Sequence, residues 1–168
     1  FCSVVFNLND NNNTCDTTTF NPANVIVAGN IHTEWQENVP TVEVNLGGVN
    51  AAASTLETET DLGGMYAFAD MPLGGSYSVA PTLNKDILNG VSTLDLVLIQ
   101  KHILGLQDLT SPYRIIAGDI NKDRSLSAID LVELRKVILG ITSEFRNNDS
   151  WRFVDEGYAF DDPQSPLK

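Results

Sequence analysis

Between residues 41 and 46 the chain alternates strictly, Thr-Val-Glu-Val-Asn-Leu, which is the period of a strand with one buried face. The same β-rich texture runs through NVIVAGNIH, PTVEVNLGG, STLETETD, MYAFADM and GSYSVAPTL, punctuated by Gly, Pro and Asp. Residues 24–83 are therefore predicted to form the short strands of a small antiparallel sandwich. From about Asn84 the period changes. STLDLVLIQKHILGLQ and SAIDLVELRKVILGIT both carry apolar residues at helical spacing. Ser92 and Ser127 stand at N-cap positions with Asp95 and Asp130 three residues on, and Gly105 and Gly140 stop each pattern. Overlaid at an offset of 35, residues 92–106 and 127–141 agree at 8 of 15 positions, an internal repeat of a loop–helix unit. The expected fold is α+β and multi-modular. Residues 1–20 are an orphan strand or the end of a preceding module, 24–83 a β-sandwich, 84–142 an all-α pair of repeats, and 143–168 a C-terminal extension.

Charge narrows the partners. Twenty-two acidic and ten basic side chains give a formal net charge of −12, which repels nucleic acid and anionic membrane surfaces and favours divalent cations. No run approaches the roughly 18–20 apolar residues that span a bilayer, so membrane insertion is not expected. The chain opens on Phe1 without a signal-peptide pattern, as a mature product or a piece of something longer would. Its two cysteines, Cys2 and Cys15, bracket a hairpin-like stretch. They form either a disulfide, suited to an extracellular compartment, or two separate thiols. Two thiols with no nearby histidine do not make a metal site.

The repeat carries the chemistry. In DINKDRSLSAID, residues 119–130, oxygen-bearing side chains occupy the first, third, fifth, seventh, ninth and twelfth positions: Asp119, Asn121, Asp123, Ser125, Ser127 and Asp130. A calcium ion takes six to eight hard oxygens at about 2.3–2.6 Å, and a twelve-residue EF-hand loop supplies them from these positions, the seventh through its carbonyl. Leu126 is the apolar eighth residue. Arg124 stands sixth, where glycine is usual, and Asp replaces the common twelfth-position Glu. The first copy, NKDILNGVSTLD, offers Asn84, Asp86, Gly90, Ser92 and Asp95, but Leu88 at the fifth position cannot coordinate. Two calcium sites are expected, the second stronger, because affinity follows the number of charged ligands.

At these residues the chain resembles the dockerin family. GDINKDRSLSAIDLVELRKVILG is similar to a dockerin repeat, LNGVSTLDLVLIQKHILG resembles a divergent first repeat, and LQDLTSPYRIIA is similar to the connector. The preceding stretch, VAGNIHTEWQENVPTVEVNLGG through TETDLGGMYAFADMPLGGSYSVAPTLNKD, resembles a carboxypeptidase-regulatory-like (transthyretin-type) β-sandwich. The resemblance, over about 24–142, implies type I, EF-hand-type calcium loops in a large secreted or surface protein. It also implies docking to a cohesin-type partner, with recognition residues near each helix start, here Ser92–Thr93 and Ser127–Ala128.

Catalysis finds no support. His32 ends a predicted strand, His102 lies beside Lys101 in the first helix, and no nucleophile elbow, phosphate loop or zinc helix occurs. The expectation is a calcium-binding, non-catalytic structural or interaction module of an extracellular or cell-surface chain. Its partners are other modules, copies of itself joined by strand addition, or a cohesin-type protein. The alternative is an accessory part of a secreted polysaccharide-degrading enzyme. Sequons at Asn12 and Asn148 complete the reading.

Overall fold

The computed structural model describes residues 3–6, 24–49 and 56–167. Cys2 and Cys15, and with them the disulfide expectation, lie outside the described residues, as does most of 1–20. The chain divides into two compact units, one of Val4–Thr82 and one of Leu83–Lys168 together with Ser3.

The first unit is antiparallel β. Strand β1 (Ser3–Phe6) pairs with β2 (Asn24–Thr33), Val5 opposite His32. On its other side β2 pairs with β5 (Met65–Pro72), with a register shift between Val25 and Val27. Strand β3 (Glu43–Val49) is flanked by β4 (Leu56–Glu59) and β6 (Ser76–Thr82). Alternation decides which side chains go in. Val42, Val44 and Leu46 are buried, as are Tyr66 and Phe68, which meet edge-to-face at 6.2 Å. The polar side chains buried in this unit include Thr60. Thr60 donates from Oγ1 to the Val39 carbonyl (2.8 Å) and accepts there from the Val42 amide (2.9 Å), so its hydroxyl is satisfied in both directions.

The second unit is helical. Helix α1 (Thr93–Ile103) and helix α3 (Ala128–Ile138) are the two repeat helices. Their termini are near copies. Ser92 and Ser127 each close a capping box with Asp95 and Asp130. Gly105 and Gly140 each sit at φ +65, and beyond them Leu106 and Ile141 donate back to the Lys101 and Lys136 carbonyls at 2.9 and 2.8 Å. These are Schellman endings, in which the left-handed residue is glycine because a Cβ would be strained there.

The core has the symmetry of the repeat. Ile99, Ile120 and Leu134 form its centre, with Val91, Leu96, Leu126 and Leu131 packed around them. At the offset of 35, Ile99 corresponds to Leu134, Leu96 to Leu131 and Val91 to Leu126. Between the repeat helices lies a short helix α2 (Pro112–Gly118), whose Pro112 occupies the first turn, where its missing N–H costs nothing. Sequence patterning treats this stretch as connector. Strand β7 (Arg152–Asp155) follows α3 in the chain.

Candidate metal centre

Helix α2 delivers the second loop. Its last residue, Gly118, comes so close to Leu126 that an added Cβ would stand 2.9 Å from a Leu126 methyl. This approach draws the start of the loop onto its eighth residue and into the core, so Asp119 and Ile120 enter the protein interior directly. Leu126 thus packs against the core beneath the loop it belongs to.

Within the loop, side-chain oxygens gather the backbone. Asp119 accepts from the Asp123 amide through Oδ1 (3.1 Å) and from the Arg124 amide through Oδ2 (3.2 Å). Asn121 Oδ1 accepts from the Asp123 amide (2.9 Å), and Asp123 Oδ1 accepts from the Ser125 amide (2.9 Å). Asn121 Nδ2 donates to Asp123 Oδ2 at 2.8 Å. Asp130 reaches back from the helix to the loop entry. Its Oδ1 accepts from the Ile120 and Asn121 amides (2.8 and 3.2 Å), while Oδ2 accepts from Ser127 N and Oγ (2.8 and 3.2 Å). Lys122 and Arg124 adopt φ +60 and +67. Arg124 thus takes the left-handed conformation for which glycine is usual at the sixth position, with the strain that a Cβ brings there.

Electrostatics concentrates on two residues. Asp119 is 1% exposed and Asp130 0%. Burial holds the Asp119 carboxyl above the usual carboxylate range, and the nearby Asp130 charge adds to this. The Arg124 and Asp123 amides and the Arg152 guanidinium act in the opposite direction. A cleft of about 700 Å³ opens beside Asp119, with Lys122, Arg124 and Arg152 along it.

The first loop is built differently. Asn84 and Asp86 are exposed, and Asp95 is half-buried. Asp95 Oδ2 accepts from Ser92 N (2.7 Å) and Ser92 Oγ (3.2 Å), the interactions of a helix cap. Gly90 lies at φ +69 and Leu88 is exposed.

Two tests bear on whether these loops fit a cation. Among the described residues no three His, Cys, Asp or Glu side chains converge as a metal cluster, and in the second loop the carboxylates face backbone amides. The donor set is nonetheless all hard oxygen. Asp119 and Asp130 are both buried, the charge of one acting on the other, and buried charges are as a rule paired or bound to metal. The second loop therefore fits calcium in donor chemistry, while the first, with Leu88 fifth, fits it less well.

The histidines serve structure. His32 is buried, its Nδ1 2.9 Å from the Thr33 carbonyl. His102 Nδ1 accepts from the Leu109 amide at 3.2 Å, joining the end of α1 to the connector. At the sequon Asn148, Nδ2 is occupied, donating to the Asp119 carbonyl at 3.1 Å.

Two features escape sequence reasoning, though the helix caps do not: at the N-cap positions read from the sequence, the Ser92 and Ser127 hydroxyls accept from the Leu94 and Ile129 amides at 3.2 Å. Beside them, Leu94 (61% exposed) and Val97 of α1 match Ile129 (57% exposed) and Val132 of α3 as equivalent aliphatic pairs open to solvent. The signal was an apolar position out of phase with the buried stripe of Leu96 and Ile99. The second feature is the contact of residues 145–150 with both loops, for which one sequence carries no signal.

Among curated proteins and among solved structures, nothing matches this chain. Residues 84–139, about a third of the chain, match the model of the dockerin type I domain. The matched stretch runs from the first residue of the first loop to the C-cap of α3. It supports a dockerin module here, a non-catalytic, calcium-binding protein-interaction module of a kind that typically docks to cohesin.

Proposed function

We propose that this chain is a calcium-organised, non-catalytic interaction module of a secreted or cell-surface protein, which docks a cohesin-type partner through the paired helices. The observation that carries the reading is the burial of Asp119 and Asp130 together at the entry and exit of one oxygen-rich loop. Two neighbouring buried carboxylates repel each other and lack hydration, and a divalent cation relieves both costs. Asp119, Asn121, Asp123, Ser127 and Asp130 would hold the ion with the Ser125 carbonyl. In the first loop Asn84, Asp86, Ser92 and Asp95 would do so with the Gly90 carbonyl. When bound, calcium supplies a divalent charge that crosslinks loop and helix. Because only the folded loop assembles these donors, the ion stabilises the helical unit by mass action.

The docking face is the exposed aliphatic row of Leu94 and Val97 with its equivalent, Ile129 and Val132. Partly exposed aliphatic side chains beside polar helix starts are the elements of an interface core with its rim. The β unit precedes this module in sequence, and its alternating antiparallel strands support reading it as a carboxypeptidase-regulatory-like sandwich.

Calcium titration calorimetry of the whole chain, beside Asp119→Asn, tests the reading. Heat of binding in the parent chain that is sharply reduced in the variant is expected, together with a rise in the melting temperature of the helical signal. Equal melting with calcium and with chelator overturns it.

A further inference from the structure

Residues 145–150 lie beyond the segment that matches the dockerin model, yet they touch the first residue of both loops. Phe145 packs against the Ile99, Ile120 and Leu134 centre and anchors the segment. Asn148 Nδ2 donates to the Asp119 carbonyl at 3.1 Å. Two residues on, the Ser150 amide donates to Asn84 Oδ1 at 3.2 Å. The Ser150 hydroxyl lies 2.9 Å from the Lys85 carbonyl and 3.3 Å from the Leu83 carbonyl, on either side of Asn84. Between these anchors Asp149 approaches Lys122 at 3.8 Å. Asn84 and Asp119 are equivalent positions of the repeat, 35 residues apart.

We infer that Asn148 and Ser150 are positioning residues that tether the two loop entries to one strap, so that loading one loop favours loading the other. The inference rests on the calcium reading above. The first loop needs outside help, since Leu88 supplies no donor and Asn84 and Asp86 are exposed. Ser150 provides it by fixing the loop's first side chain and the two flanking carbonyls. An amide oxygen has two lone pairs, so Asn84 Oδ1 accepts from Ser150 and still has one to offer a cation. At the other end, a cation in the second loop immobilises Asp119, whose carbonyl holds Asn148. Ordering one entry then removes part of the ordering cost at the other, and the coupling is reciprocal.

The test is calorimetric titration of the full 168-residue chain with calcium, comparing the parent with Asn148→Ala, Ser150→Ala and Ser150→Thr. One net hydrogen bond corresponds to roughly a three- to tenfold change in an equilibrium constant. Ser150→Ala is expected to weaken the weaker site by about that factor and Ser150→Thr to restore it. Asn148→Ala is expected to leave two sites that load independently. Melting in saturating calcium separates these effects from general destabilisation, which lowers the midpoint without changing the coupling. Parent-like isotherms in both alanine variants overturn the strap and leave the calcium reading standing, whereas a parent chain that takes no calcium overturns that reading itself. Should a variant fail to fold, NMR of the parent decides. The Ser150 amide and Asn148 side-chain amide must shift as calcium is added, and unmoved signals overturn the inference.

Discussion

Replacing Asp130 by Asn should separate the two repeats more sharply than any other single change. The Asp130 carboxylate is fully buried and accepts four donors, Ile120 N and Asn121 N on one oxygen and Ser127 N and Oγ on the other. Asn keeps the shape but turns one acceptor into an NH2 group with no lone pair to offer. Whichever way the amide is flipped, two donors lose their partner. An unsatisfied buried donor costs about 1–3 kcal/mol, and the Ser127 hydroxyl can rotate away, so Asp130→Asn should cost roughly 2–5 kcal/mol. Asp95→Asn makes the equivalent change where Asp95 is half-buried and serves the Ser92 cap. The expected cost there is about 1 kcal/mol. Urea denaturation in excess chelator, followed by far-ultraviolet circular dichroism, measures both with no metal contribution. The described helices all lie in the Leu83–Lys168 unit, so the signal reports on the unit in question. Equal midpoints for the two variants would refute the argument that Asp130 ties the loop to the helix before any ion binds.

Leu134→Ala empties a fully buried position in the cluster it forms with Ile99 and Ile120 and should cost about 2–5 kcal/mol in the same denaturation assay. Arg124 sits at φ +67, so Arg124→Gly should raise the melting temperature or leave it unchanged, while the β-branched Arg124→Val should lower it. Leu94→Glu with Ile129→Glu alters side chains more than half exposed. Stability should move by no more than about 0.5 kcal/mol per site, and surface plasmon resonance should show cohesin binding lost; retained binding would place the docking face elsewhere. Asp119 has a raised carboxyl pKa through burial and the Asp130 charge. The folded metal-free chain therefore binds more protons than the unfolded one between the usual and the raised value. Its stability should fall as pH rises through that window, while calcium, which takes the ionised form, gains affinity. Calorimetry at acid and neutral pH checks the second half, and a pH-independent affinity would contradict it.

The sequence was most legible where the physics is local. Alternation at Thr41–Leu46 is enough to bury Val42, Val44 and Leu46, because a period of two puts them on one face whatever lies opposite. Capping boxes and glycine stops were readable for the same reason. Each joins residues three to six apart in the chain. The loop residues could be named from spacing, but their inequality could not. Asp119 and Asp130 are buried while Asn84 and Asp86 are exposed, and that difference is set by Gly118, whose lack of a side chain lets the second loop fall onto Leu126. Helix α2 was hidden because seven residues give too short a periodic signal. The strap was hidden because its hydrogen bonds to the first loop cross 65 to 67 residues.

The repeat helps to explain how the two loops came to be held by different means. The helices share one core in which the equivalent residues Ile99 and Leu134 cluster with Ile120, so neither copy can lose its buried stripe without exposing the other. The loops are under no such joint constraint. In the second copy the tether is local, since Asp130 reaches the Ile120 amide across 10 residues. In the first copy the equivalent carboxylate, Asp95, serves the Ser92 cap, and the loop entry is held from 66 residues away by Ser150. Closing a contact over a long stretch of chain costs more entropy than closing it over a short one, though the cost grows only logarithmically. The second loop can accordingly form as its own helix forms, whereas the first depends on a tail that must already be docked through Phe145. The copy with the fuller set of oxygen-bearing side chains carries its own support, and the copy with fewer has its support supplied by the chain that follows the matched segment.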